Sequence, residues 1–422
     1  MYWLVETDTQ FEILSNSSYR KAFIEVIPYS YAVHPAINSV SLVYIRPLNA
    51  SKGFIICVDH SEGFSVSKHK LDAWLEKLEV LYCRNKKDIL HYFPLKTLYD
   101  VNTPPNTYIP TQFVYSELFY SRNKNIDNHN YIIPIVKHFE YCEKIYWDLE
   151  SNIKKDKTKY DEFFNSRVSV VFNALERSGL RIHVPRFQQH FHPVNGERVY
   201  SQYNLKTLTT RPSNKFKGVN YAALNKENGC RKSFIPDNDL LYEIDISAYH
   251  PSLSCRLIDY SFPTVDIHDH MAGLYGVSYA KSKELTFKQL YGGVFKQYQH
   301  LEYFKKIKEY VGKLWNDFIE VGWVECPISG FHFSRESLEN MNPQKLFNYL
   351  LQNLETSMNV CILWDVFCLL KGKKTKLVLY TYDSFLFDWD EEEINLMENI
   401  KQIFKKYELN IKTKQGYDYD FK

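Results

Sequence analysis

Two apolar runs in the second half of the chain each deliver an aspartate to a break in the pattern, and together they constrain the fold more than any other feature. The first, L-L-Y-E-I-D-I-S-A-Y-H-P-S from Leu240 to Ser252, reads as a strand that carries Asp245 to its end before a helix starts near Tyr249. The second, L-V-L-Y-T-Y-D-S-F-L-F-D from Leu377, reads as a hairpin with Asp383 near its tip. A lone aspartate after a strand is usually a helix cap, so neither carries a function by itself. Two at neighbouring strand tips are a different matter. Nucleotidyl transfer uses two divalent ions about 3.5–4 Å apart to activate a 3′ hydroxyl and neutralise a leaving pyrophosphate. Mg²⁺ binds through a few carboxylates plus phosphate oxygens and water.

The chain has 422 residues, enough for two or three domains with real cores. Its 45% hydrophobic and 24% charged content is that of a soluble globular protein. A formal net charge of +2 gives no global electrostatic case for nucleic acid, so local clustering must supply it. Between Lys206 and Lys232 lie Lys206, Arg211, Lys215, Lys217, Lys226, Arg231 and Lys232, opposed only by Glu227. The bland meaning of such a stretch is a solvated loop. The 8 cysteines form no C-x-x-C pair, which argues against structural zinc and a disulfide framework and for a reducing cytoplasm. No run approaches the ~20 apolar residues of a membrane span, and the start M-Y-W-L-V-E-T-D lacks a signal-peptide pattern, so a soluble, unprocessed protein is expected.

In chain order, strand-like runs fall at Tyr2 to Val5, Ala22 to Ile27, Ser39 to Ile45 and Gly53 to Val58, followed by a helical pattern over Val66 to Leu98. A Pro/Asn loop begins at Val101, and a helix is expected over Tyr131 to Glu150. Phe163 to Leu180 is amphipathic and ends at Gly179, a C-cap candidate. Further helices are expected over Tyr249 to Leu257, Lys281 to Tyr298, Leu301 to Ile319, Gln344 to Leu370 and Glu391 to Lys406, with a last strand from Leu409 to Lys414.

In K-E-L-T-F-K-Q-L-Y-G, steps of four align Lys283, Phe287 and Tyr291 along one helix face over roughly 12 Å. An ammonium suits a triphosphate and an aromatic ring suits a base, although an ordinary amphipathic helix has the same spacing. With the two aspartates, these pieces resemble in order and spacing the DNA polymerase I family, the family A polymerases. T-L-T-T-R-P-S, holding Thr207, Thr209, Thr210, Arg211 and Ser213, resembles the family's T-x-T-G-R-x-S. Lys283, Phe287, Tyr291 and Gly292 match its K-x-x-x-F-x-x-x-Y-G, and Asn348 and Gln352 fit N-x-x-x-Q. Asp383 stands at the aspartate of H-D-E. The resemblance covers roughly residues 165 to 422.

The resemblance implies an α/β and α+β chain: an exonuclease-like (RNase H-like) N-terminal domain over 1–135, a helical connector and reduced thumb over 136–204, and palm and fingers over 205–422, with fingers about 263–325. It implies a compact, phage-type DNA polymerase that extends a primer 3′ end with dNTPs on primer–template DNA, in the cytoplasm of its host. A processivity or replisome partner would compensate for the short stretch between Ile182 and Thr207, where the family carries a long thumb insertion. Two Mg²⁺ ions, replaceable by Mn²⁺, would be held by Asp245, Asp383 and the backbone carbonyl of Ile246. The dNTP would be met by Lys283, Phe287, Tyr291, His250 and Arg231, and DNA by Arg211, Asn348, Gln352 and Lys226.

Three departures bear on this reading. His250 stands five residues after Asp245, where family DNA polymerases carry a glutamate that excludes the ribose 2′-OH, and Tyr279 replaces an arginine four residues before Lys283. Y-D-S-F is close to the H-D-S-F of single-subunit RNA polymerases, so an RNA polymerase or primase-like enzyme is the alternative, and a catalytically inactive nucleic-acid-binding homologue the second. In the front domain, proofreading would need a D-x-E pair on the first strand. E-T-D-T-Q offers only Asp8 with Gln10, or Glu6 with Asp8. Asp88 is a loose second motif and no Y-x-x-x-D follows, so a domain without proofreading activity is expected.

Overall fold

The computed structural model describes residues 3–105, 130–194, 196–214, 219–264 and 266–421. Tyr2, the Pro/Asn loop beyond Pro105, and Lys215 and Lys217 of the basic stretch lie outside them. The chain divides into two compact units, Met1–Asn173 and Ala174–Lys422.

The first unit is built on a six-stranded sheet of β1 (Trp3–Val5), β2 (Lys21–Pro28), β3 (Val40–Pro47), β4 (Phe54–Cys57), β5 (Val80–Cys83) and β6 (Leu98–Asp100), in the order β1-β4-β3-β2-β5-β6. β2, β5 and β6 are mutually parallel, and β3 runs antiparallel between β2 and β4. Period-two alternation sends Ala22, Ile24 and Val26 of β2 to one face, against Phe11 and Leu14 of α1 (Asp8–Ser15) and Leu71, Trp74 and Leu75 of α2 (Lys68–Leu75). Phe23 and Ile27 go to the other face, under Cys142, Ile145 and Leu149, which follow α3 (Lys86–Tyr92) and β6 on α4 (Ile135–Lys154). Full burial of each such Phe or Ile contributes roughly 1.5–3 kcal/mol. Glu25 sits on the Phe23 face as the one charged residue of the strand's buried stretch.

The helical pattern expected over Val66 to Leu98 contains the strand β5 as well as α2 and α3, and ends at the first residue of β6. The spacing of Leu71, Leu75 and Leu78 reflects one buried face, but V-L-Y-C is pulled into the sheet by parallel pairing to β2, which no local period announces. Glu6, Asp8 and Gln10 lie beyond the edge strand β1, at the start of α1. There Gln10 completes a capping box with Thr7, and Asp8 accepts from Ser67 N–H at 3.0 Å and pairs with Lys70 at 3.0 Å. The two central strands of the sheet are β3 and β2, and β2 carries Glu25. After α4 the chain forms α5 (Lys159–Phe163), a π-turn over Phe164–Val168 and α6 (Ser169–Ser178), closed by Gly179 at φ +62°.

In the second unit, short elements β7 (Leu180–Arg181), α7 (Val184–His190), β8 (Arg198–Val199), β9 (Tyr203–Asn204) and β10 (Ser213–Asn214) lead to the main sheet. That sheet is antiparallel, in the order β14-β15-β11-β16, with β11 spanning Leu240–Ile246, β14 Lys376–Thr381, β15 Ser384–Trp389 and β16 Ile411–Gly416. Around it lie α8 (Tyr249–Leu257), α9 (Ile267–Tyr275), α10 (Tyr279–Gly292), α11 (Glu302–Glu320), the hairpin β12 (Trp323–Glu325) and β13 (His332–Ser334), α12 (Pro343–Leu370) and α13 (Leu396–Lys406). α10 stops short of the expected Tyr298 because Gly293 adopts φ +97°, a conformation that ends the helix. α13 starts later than the expected Glu391 because Glu393 is spent on the Lys374 and Thr375 N–H groups, at 3.2 and 3.0 Å.

Candidate active site

Asp245 is the penultimate residue of β11, directly opposite Ser384 of β15. The β14–β15 turn has two central residues, Tyr382 and Asp383, and Tyr382 takes φ +64° so that so short a turn can close. The Ile246 N–H donates to the Asp383 carbonyl at 2.8 Å, which ties the turn to the end of β11. Asn359 of α12 holds the turn from below: its Nδ2 donates to the Tyr382 carbonyl and the Tyr380 hydroxyl, each at 2.7 Å, and its Oδ1 accepts from the Tyr249 hydroxyl at 2.7 Å. Left-handed backbone at a tyrosine costs about 1–2 kcal/mol, and these bonds keep it in place.

The two carboxylates feel one another. Protein crowding raises the Asp383 pKa to about 6, with the charge of Asp245 the next cause, although one side of Asp383 remains open to solvent. Asp245 is raised as well, first by burial and then by Glu243, while Lys283, Lys414 and Lys226 oppose the rise. Two carboxylates whose ionisation is opposed by burial and by one another, with an open side, fit a divalent cation, which would relieve both causes at once. Among the described residues no group of three or more His, Cys, Asp or Glu stands ready to hold a metal by itself; the donors of this pair are carboxylate oxygens, the ligand type that Mg²⁺ takes together with phosphate and water.

α10 presents its spaced residues to this floor. Phe287 stacks on Tyr291 at 5.7 Å, and the Tyr291 hydroxyl lies 2.7 Å from His250 Nδ1 with the rings edge to face. Asn348 Nδ2 donates to the Tyr291 carbonyl at 3.1 Å, and Gln352 Oε1 accepts from the Thr209 hydroxyl at 3.0 Å. Arg211 lies over the Tyr382 ring, 3.8 Å from its centroid. Lys226 is exposed. Arg231 is taken up elsewhere, over the Tyr419 ring at 4.7 Å and donating to the Leu224 carbonyl at 3.5 Å.

No protein-family model matches the chain, and no curated protein matches it. Among solved structures it is similar to the POL domain of Pol1 from M. smegmatis in complex with DNA primer-template and dNTP, with a TM-score of 0.72, 12% identity, and coverage of 100% of this chain and 99% of that one. The fold is that of a polymerase domain. At that identity the likeness is one of fold, and the chemistry must be read from this chain's own side chains.

Within that polymerase fold two groups escape motif reading. Glu355, on α12, is buried and pairs with Arg211 Nε at 2.8 Å and His250 Nε2 at 3.4 Å, so one carboxylate joins the Arg211 segment to the partner of Tyr291. Its only signal was a charge inside the apolar run L-L-Q-N-L-E-T-S-M. His268, on α9, is buried against Phe287 at 5.7 Å with neither ring nitrogen hydrogen-bonded among the described residues. Burial, and then the charge of Lys283, lower its pKa.

Proposed function

We propose that this protein is a DNA-templated DNA polymerase that extends a primer 3′ end with dNTPs. The observation that carries the reading is the pairing of Asp245 with Asp383 at the β11 end and the β14–β15 turn, faced by Lys283, Phe287 and Tyr291 on a single helix. When bound there by Asp245, Asp383 and the Ile246 carbonyl, two Mg²⁺ ions would activate the primer hydroxyl and neutralise the leaving pyrophosphate. The protein's own part is positioning. Lys283 presents a point charge to the triphosphate. Phe287 and Tyr291 present ring faces to the nascent base pair. Asn348, Gln352 and Arg211 reach toward minor-groove acceptors, which are nearly alike for all base pairs and so report geometry rather than sequence.

The Tyr291–His250–Glu355 chain supports selection of deoxyribose: a buried carboxylate stands behind His250, and His250 meets the Tyr291 hydroxyl, which would thereby be kept where it crowds a ribose 2′-OH. We read the first unit as an exonuclease-like domain that has lost proofreading. Its strand order places Glu25 at the centre of the sheet, and Arg84 pairs with that glutamate while Lys87 pairs with Asp88 at 2.7 Å. Internal cations thus stand beside both carboxylates that a metal would need, around a cavity of about 60 Å³ lined by Glu25, Tyr31, Arg84, Asp88 and Tyr92.

Primer extension on a defined template with Mg²⁺, run with dNTPs and with rNTPs, tests the reading. Extension with dNTPs that is lost in Asp383→Asn while duplex binding persists supports it. Preference for rNTPs would move the protein to the RNA polymerase reading, and duplex binding without any synthesis would make it an inactive homologue. Degradation of a frayed labelled primer by the wild type, abolished in Glu25→Gln, would overturn the loss of proofreading.

A further inference from the structure

Tyr279 opens α10 one helical turn before Lys283, and the Lys412 Nζ donates to its hydroxyl at 3.4 Å, with the ammonium 5.7 Å from the ring centroid. Lys412 belongs to the edge strand β16, where it is the register partner of Asp245, so the two side chains leave the same face of the sheet. The Tyr279 hydroxyl is steadied from the other side by Asp266 Oδ2 at 3.4 Å. α10 carries three lysines, and two of them, Lys281 and Lys288, are each paired with Glu284 at 2.8 Å. Lys283 and Lys412 are both exposed and form no ion pair among the described residues.

Edge-strand lysines commonly serve to block strand pairing; Lys414, the register partner of Glu243, is the comparison, a charge felt at Asp245 with no bond to α10 among the described residues. Lys412 differs in turning toward the head of α10, so the face above Asp245 is bordered by one cation from the helix and one from the sheet. Together they suit a polyphosphate, whose charge exceeds what one ammonium balances.

We propose that Lys412, steadied by Tyr279, is a substrate-binding residue that gives the incoming nucleotide's triphosphate its second cationic contact beside Lys283. The assignment deepens the polymerase reading and rests on it. Lys412 reaches across from the strand next to Asp245, so a chain without a cation at position 279 still has one at that place.

The test compares wild type, Lys412→Ala, Lys412→Arg, Lys414→Ala and the double variant Lys412→Ala/Tyr279→Arg. Two readouts are used: KM and kcat for dNTP in primer extension, and equilibrium binding of inorganic tripolyphosphate to the full chain. Lys412→Ala is expected to raise the dNTP KM and weaken tripolyphosphate binding by roughly tenfold each, with a smaller change in kcat. Lys412→Arg and the double variant are expected to recover most of the loss, and Lys414→Ala to cause less of it. dNTP and tripolyphosphate affinities of Lys412→Ala within about twofold of wild type, about 0.4 kcal/mol, overturn the assignment. So does a loss equal to that of Lys414→Ala, which marks a diffuse field. A wild type that binds tripolyphosphate through Lys412 but extends no primer sinks the polymerase reading instead.

Discussion

Replacing Glu355 by Gln probes the connection between the two halves of the site. The carboxylate has 3% of its side-chain surface exposed and meets Arg211 at 2.8 Å and His250 at 3.4 Å. Both partners can donate there. The carboxylate accepts from Arg211 Nη2 at 3.4 Å and faces His250 Nε2, whereas an amide of the same shape must turn its NH₂ toward one of them. Removing one member of a buried pair costs about 3–5 kcal/mol. Arg211 is 32% exposed and can turn part of its guanidinium to water, so a loss of about 2–3 kcal/mol is expected. For a unit of this size that lowers Tm by roughly 4–12 °C. Urea unfolding of Glu355→Gln, Arg211→Met and the double variant measures it, and the coupling between the two sites should be at least about 1 kcal/mol. In primer extension the same variant should discriminate less between dNTPs and rNTPs, because His250 is no longer held against Tyr291. A stability change under about 0.5 kcal/mol, the range of ordinary surface substitutions, would refute the claim that Glu355 holds these elements together.

Further outcomes follow from the same geometry. Asp383→Asn should abolish synthesis yet melt higher than wild type at pH 8. With its folded pKa raised to about 6, ionised Asp383 costs stability above that pH, the cost fades as pH falls from 6 toward the unfolded value near 4, and melting curves of both proteins from pH 4 to 8 test this. Asn359→Leu removes the amide that bonds the Tyr249 hydroxyl, the Tyr380 hydroxyl and the Tyr382 carbonyl; it should cost about 2–4 kcal/mol by urea unfolding and lower kcat more than it raises KM. Arg84→Met leaves Glu25 buried without its cation and should destabilise the first unit by about 3–5 kcal/mol, seen as faster proteolysis within residues 1–173 while primer extension persists.

Much of this architecture is written locally. Asp245 at a strand end, Asp383 in a hairpin turn, and Lys283, Phe287 and Tyr291 on one helix face all follow from apolar periods of two and about four within a few residues. The first unit was less legible. The apolar spacing around Leu71 and Leu75 gives a helical pattern from Val66 to Leu98 that does not announce β5, and E-T-D-T-Q offers only a broken D-x-E pair near the first strand. β2 lies inside the sheet because β3 and β5 pair with it on either side, a matter of long-range hydrogen bonding.

By itself, then, the sequence determined where each chemical group lies along its own strand or helix, because side-chain direction repeats with the backbone period. What it left open was which group stands beside which. The register of β16 against β11 sets Lys412 across from Asp245, and the packing of α12 brings Glu355 to Arg211 and His250 over more than a hundred residues. The same holds for Arg84, which reaches Glu25 only because β5 lies parallel to β2. Strand register and helix packing are settled by the burial of many residues together, so no single stretch of chain announces these neighbours.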